Sequence, residues 1–115
     1  MSNHYHDPSD LGLLKQMREL APVEFKAWAD LGKITGREDG AIPKKYRELI
    51  SLAVAHATQC PYCLEVHAKA AKAAGATRQE VVETSFLAAA MAAGAAGVHG
   101  TLALKLYDQA GQSTA

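Results

Sequence analysis

A chain of 115 residues is the size of one domain, and 12 Lys+Arg against 12 Asp+Glu leave it with a formal net charge of zero. That balance lacks the basic excess that nucleic acid or an acidic membrane surface would require, so neither is expected as a partner. It also removes one barrier to self-association, from which a chain this short gains buried surface.

Residues 1–8 are polar, carry His4 and His6 and contain no apolar stretch, so they read as a disordered tail rather than a signal peptide. A single all-α domain is expected over residues 9–115. Its first helix, residues 10–20, is capped by Ser9 and places Leu13, Leu14, Met17 and Leu20 at helical spacing. Pro22 fits the first turn of a second helix, residues 22–33, with Trp28 as a core or subunit contact. Residues 35–42, with Gly36 and Gly40, form the clearest loop. A third helix follows over residues 43–58. It is largely apolar, but Glu48 sits among its apolar positions, where a carboxylate is costly without a partner. The basic cluster Lys44, Lys45 and Arg47 reads as a solvated helix start.

Pro61 opens a fourth helix, residues 61–74, and Gly75 ends it. Thr77 and Glu80 form a capping box for a fifth. The small-residue run 88–97 predicts close helix packing, within the subunit or between subunits. It is weakly hydrophobic and interrupted by Gly94 and Gly97, so it is not expected to span a membrane, and a sixth helix is expected over residues 100–110. No stretch shows sustained strand alternation. The reading is a compact bundle of about six helices in a cytoplasmic protein.

The chemistry concentrates in Cys60-Pro61-Tyr62-Cys63, which holds the only two cysteines. In a reducing cytoplasm a close cysteine pair is more often redox-active or metal-binding than a structural staple. Helix geometry puts Cys60 and Cys63 on one side, within reach of a disulfide. The positive end of the helix dipole favours thiolate. His67 lies one turn past Cys63 and can accept a thiol proton. Glu48 can reach and orient His67 if the third and fourth helices pack antiparallel. The rival reading is zinc, with His56, Cys60, Cys63 and His67 as four ligands. All four fall within twelve residues, however, whereas structural zinc usually draws on two separated knuckles. Tyr62 packs over the sulfurs or lines their entry. His56 reads as a core histidine and His99 as a helix-end one.

The stretch Ile42-Pro43-Lys44-Lys45-Tyr46-Arg47-Glu48-Leu49-Ile50, followed by Cys60-Pro61-Tyr62-Cys63 and His67, resembles the AhpD-like alkylhydroperoxidases of the carboxymuconolactone decarboxylase superfamily. The family pattern is a glutamate, Cys-x-x-Cys twelve residues on, and a histidine four past the second cysteine; both spacings match here. The resemblance implies a thiol-dependent peroxidase for hydrogen peroxide or small organic hydroperoxides. Cys63 would be the peroxidatic cysteine, Cys60 would resolve it as a disulfide, and His67 and Glu48 would relay the proton. It further implies an all-helical fold, homo-trimers or homo-hexamers, an external thiol or lipoyl-type reductant, and no metal or organic cofactor. Two features depart from the best-known branch: Tyr62 replaces a histidine, and the chain is a compact single repeat. The decarboxylase branch uses no cysteine pair. A general thiol–disulfide oxidoreductase and a zinc-stabilised helical module are the alternatives.

Overall fold

The computed structural model describes residues 5–112, which are helical throughout apart from turns and loops. A 3-10 turn, Pro8–Leu13, leads into α1 (Leu14–Leu20). Next come α2 (Pro22–Gly32), a second 3-10 turn (Lys33–Gly36), α3 (Lys44–Thr58), α4 (Pro61–Ala73) and α5 (Arg78–Gln109). Of the segment read as a tail, residues 1–4, including His4, lie outside the described residues. Asp7, rather than Ser9, caps the first turn, in a reciprocal box with Asp10.

The centre of the fold is α3, which packs against both α4 and α5. Its buried residues Leu49 and Leu52 form the core with Ala71 of α4, and Leu64, Ala76 and Val81 pack around them. The path into α5 is written in short-range chemistry. Gly75 takes φ 93°, the left-handed conformation that ends α4. Thr77 Oγ1 then accepts from Glu80 N at 3.1 Å while Glu80 Oε1 accepts from Thr77 N at 2.9 Å. Lys45 at the start of α3 reaches Glu80 at 3.0 Å and ties the two helices together.

The largest departure from expectation is at the C-terminal end, where the two last helices are one. Gly94, Gly97 and Gly100 do not interrupt α5, which runs for 32 residues. Glycine in a helix interior costs only about 1 kcal/mol relative to alanine, and the surrounding alanines and leucines are strong helix formers. Only the first third of α5 packs on the body, through Val81, Thr84, Ser85 and Ala88 at helical spacing. Every described residue from 89 onward is exposed.

The radius of gyration is accordingly 19.5 Å, against about 13 Å for a compact chain of this length. Trp28, expected in a core or contact, is 58% exposed on α2 beside Phe25. The run 88–97, read as too weakly hydrophobic and too broken by glycine to span a membrane, lies within this one helix. Once continuous, α5 is long and apolar enough to span by length and composition, with a window of mean hydropathy 1.5 that is 6% buried.

Candidate active site

Helix α3 ends at Gln59, whose φ of 55° is left-handed and turns the chain sharply. Gln59 N and Cys60 N donate back to His56 O and Ala55 O, closing the α3 terminus. Cys60 is thereby set, in extended conformation, at the N-cap of α4, and its Sγ accepts from Cys63 N at 3.2 Å. Pro61 occupies the first turn of α4, where its missing N–H costs nothing.

Cys60 and Cys63 are joined in a disulfide with Cα atoms 5.3 Å apart. Both are half-buried. The helix start that bears them offers the Cys63 N–H, already directed at Cys60 Sγ, and a partial positive charge to any sulfur that becomes negative on reduction. His67 stands four residues past Cys63 on the same helix, so the two side chains share a face at about 5–6 Å between Cβ atoms.

On its other side His67 Nδ1 meets Glu48 Oε2 of α3 at 2.6 Å. Glu48 is 2% exposed. A carboxylate at this depth is tolerated only with partners, and His67 is the one that the turn at Gln59 delivers. The antiparallel packing that the sequence reading required is thus in place. It leaves the imidazole held at Nδ1 and its other nitrogen, Nε2, for proton exchange.

Arg47, read from sequence as part of a solvated helix start, closes the site from the far side. Its Nε and one terminal nitrogen donate to Ile42 O and Ile34 O, each at 2.9 Å, and its guanidinium lies against Gly40, where any Cβ would collide with it. The loop so clamped carries Gly36 to the Glu48 carboxylate; a Cβ on Gly36 would stand 3.9 Å from Oε1. The glycines in residues 36–40 marked the loop in the sequence, but nothing marked Arg47 as its anchor.

His56 and His99 are occupied locally. His56 Nδ1 lies 2.7 Å from Leu52 O and His99 Nδ1 3.2 Å from Ala95 O, each within its own helix. Among the described residues no three His, Cys, Asp or Glu converge as a metal-binding group. The four candidate zinc ligands do not converge: the sulfurs are paired with each other and His67 with Glu48.

The model of the family described as "Carboxymuconolactone decarboxylase family" matches residues 22–106, which include α2 through most of α5 and all four residues of the constellation. The chain is also 48% identical over 71 residues to "Uncharacterized protein 4 in cox locus" of Paracoccus denitrificans. That match covers 62% of this chain and 64% of the relative, so the chain spans less than two thirds of the length of the protein it matches. With a family match over most of its length, the chain belongs to the carboxymuconolactone decarboxylase family.

Proposed function

We propose that the protein is an AhpD-like thiol peroxidase that reduces hydrogen peroxide or small organic hydroperoxides through Cys60 and Cys63. The observation that carries this reading is the joining, at one helix start, of a bonded cysteine pair with a histidine fixed by a buried carboxylate. A structural disulfide would have no use for Glu48 and His67.

In the reduced protein the Cys63 thiol passes its proton to His67, and the thiolate attacks the terminal oxygen of the hydroperoxide ROOH. The O–O bond breaks as the S–O bond forms. The departing alkoxide takes the proton from His67 and leaves as an alcohol, or as water from hydrogen peroxide. Cys63 is left as a sulfenic acid. The Cys60 sulfur then attacks the Cys63 sulfur, the S–O bond breaks, and the Cys60 proton leaves with the hydroxide as water. Two electrons have passed from the sulfurs to the peroxide, leaving the disulfide. An external dithiol, of lipoyl type or a small thiol, returns them by exchange and is itself oxidised to a disulfide. Glu48 holds His67 at Nδ1 throughout and acts as a positioning residue. The cycle so written uses no metal or organic cofactor.

We further propose that the chain works as a homo-trimer or homo-hexamer in the cytoplasm. Its accessible surface is 9144 Å², against roughly 6,000 Å² for a compact monomer of its mass. The excess, about 3,000 Å² on one chain, is enough for more than one interface of the roughly 1,000–2,500 Å² per partner typical of obligate homo-oligomers. The exposed part of α5 supplies much of it: between residues 89 and 109 only Lys105 and Asp108 carry formal charge.

A general thiol–disulfide oxidoreductase would use the same cysteine pair. The two readings separate on steady-state turnover, measured with a peroxide and with a disulfide substrate at equal concentration of the same reductant. The peroxidase reading expects the peroxide to be the faster substrate; faster turnover of the disulfide would overturn it.

A further inference from the structure

Tyr62 lies between the two cysteines, and the catalytic cycle above gives it no role. Its side chain makes a long-range polar attachment to the N-terminal segment. Tyr62 Oη donates to Asp10 Oδ2 at 2.8 Å across 52 positions of sequence. His6 Nδ1 lies 3.4 Å from the same hydroxyl, and the two rings meet edge to face with centroids 5.6 Å apart.

Asp10 is itself fixed. Its Oδ2 also accepts from Asp7 N at 3.1 Å, within the box that caps the 3-10 turn Pro8–Leu13. The turn packs against α4. A rigid turn is therefore fastened to the helix that bears both sulfurs, at the residue between them. Hydrogen bonds to ionised acceptors are the stronger kind. The phenol is held in its donor form: the bond to Asp10 and, after it, partial burial push Tyr62 above the ordinary tyrosine range.

Resting on the thiol-pair reading above, we propose that Tyr62 is a specificity-determining residue: its bond to Asp10 holds the N-terminal turn beside Cys60 and Cys63, admitting small oxidants and small or thin-armed thiol reductants and turning away broad protein surfaces. A flat-faced protein dithiol would have to displace the turn before reaching either sulfur. A hydroperoxide, a low-molecular-weight thiol or a dithiol on a slender arm would not.

The test needs no peroxidase activity, so its failure and that of the functional reading are distinguishable. The reduced full-length protein is alkylated with N-ethylmaleimide and, separately, with a maleimide held by a short linker on the surface of a globular, cysteine-free carrier protein. Wild type, Tyr62→Phe, Asp10→Ala and the double variant are compared. Tyr62→Phe leaves the Asp7–Asp10 cap intact, and thermal melts verify that each variant is folded. Each single variant should raise the rate with the bulky reagent by roughly tenfold, as expected for loss of a hydrogen bond to a carboxylate. The small reagent should be unaffected, and the double variant should do no more than Asp10→Ala alone, because the Tyr62–Asp10 bond is already lost there. An unchanged bulky-reagent rate in Tyr62→Phe would overturn the proposal. So would additive effects, or an equal rise for both reagents, which would place Tyr62 in thiol reactivity rather than access.

Discussion

Glu48 and His67 are nineteen positions apart in sequence and 2.6 Å apart in space, joined across the turn between α3 and α4. That contact fixes the imidazole on the helix that bears the cysteine pair, one turn past Cys63. It also explains why a carboxylate occupies a buried position on an otherwise apolar face.

If Glu48 acts through His67, the two substitutions should differ in size. His67→Asn should lower the rate of peroxide-driven disulfide formation by about 10²–10⁴-fold, the range for a lost general acid–base group. Glu48→Gln, which keeps an oxygen to accept from Nδ1, should lower it by about 10–100-fold. Stopped-flow measurement of the reduced variants checks this, with pH profiles recorded for both. A merely structural Glu48 would leave the Glu48→Gln profile superimposable on wild type.

Gln59 holds a left-handed conformation, φ 55°, immediately before Cys60. A non-glycine side chain there costs about 1–2 kcal/mol, against the 0.5–1 kcal/mol that glycine loses in chain entropy. Gln59→Gly should therefore stabilise the oxidised protein by about 0.5–1 kcal/mol, read as a shift in the urea midpoint at unchanged m-value.

The capping box of α5 makes part of the stability pH-dependent. The Thr77 backbone N–H, and after it Lys45, hold the Glu80 carboxyl below the ordinary glutamate range. A carboxyl lowered by folding stabilises the native state above its unfolded pKa, and that stabilisation is lost as pH falls through the folded value. The Tm gap between wild type and Glu80→Gln should thus be steady near neutrality and close on acidification below about pH 4. A gap that persisted or widened in acid would contradict this account of the α3–α5 junction.

The exposed part of α5 should be the surface through which copies associate. Sedimentation of the wild type, without detergent, should give a mass of three or six chains. Leu102→Glu combined with Leu106→Glu should give monomers with less helix, because a lone projecting apolar helix is not self-sustaining. A wild-type protein that is monomeric in buffer, or that sediments only with membranes, would assign this helix to another role.

Much of this was legible in the sequence because it is written locally. Pro22, Pro61, Gly75 and the Thr77–Glu80 box are short-range signals, and the structure places a helix start or stop at each. The spacing of Cys60, Cys63 and His67 on one helix is likewise a matter of periodicity. What local signals miss is tertiary. Gly94 and Gly97 suggested a helix end in the run after residue 90, yet α5 continues through them, since each costs less than a helix terminus would. Arg47 looked like one more surface cation; only the folded loop, with Ile34 O, Ile42 O and Gly40 around it, reveals a clamp. Tyr62 stood out as a departure from the family pattern, but its partner Asp10 lies 52 positions away and nothing in either residue's neighbourhood names the other.

The central claim is that Cys63 is the point of peroxide attack and Cys60 the resolving partner. It is tested most directly by rapid mixing of the reduced protein with hydrogen peroxide, followed by thiol counting and sulfenic-acid trapping. Wild type should lose both thiols to the Cys60–Cys63 disulfide. Cys60→Ser should stop at a trappable sulfenic acid on Cys63, and Cys63→Ser should react no faster than an ordinary free thiol. Peroxide consumption by Cys63→Ser at the wild-type rate would contradict the account.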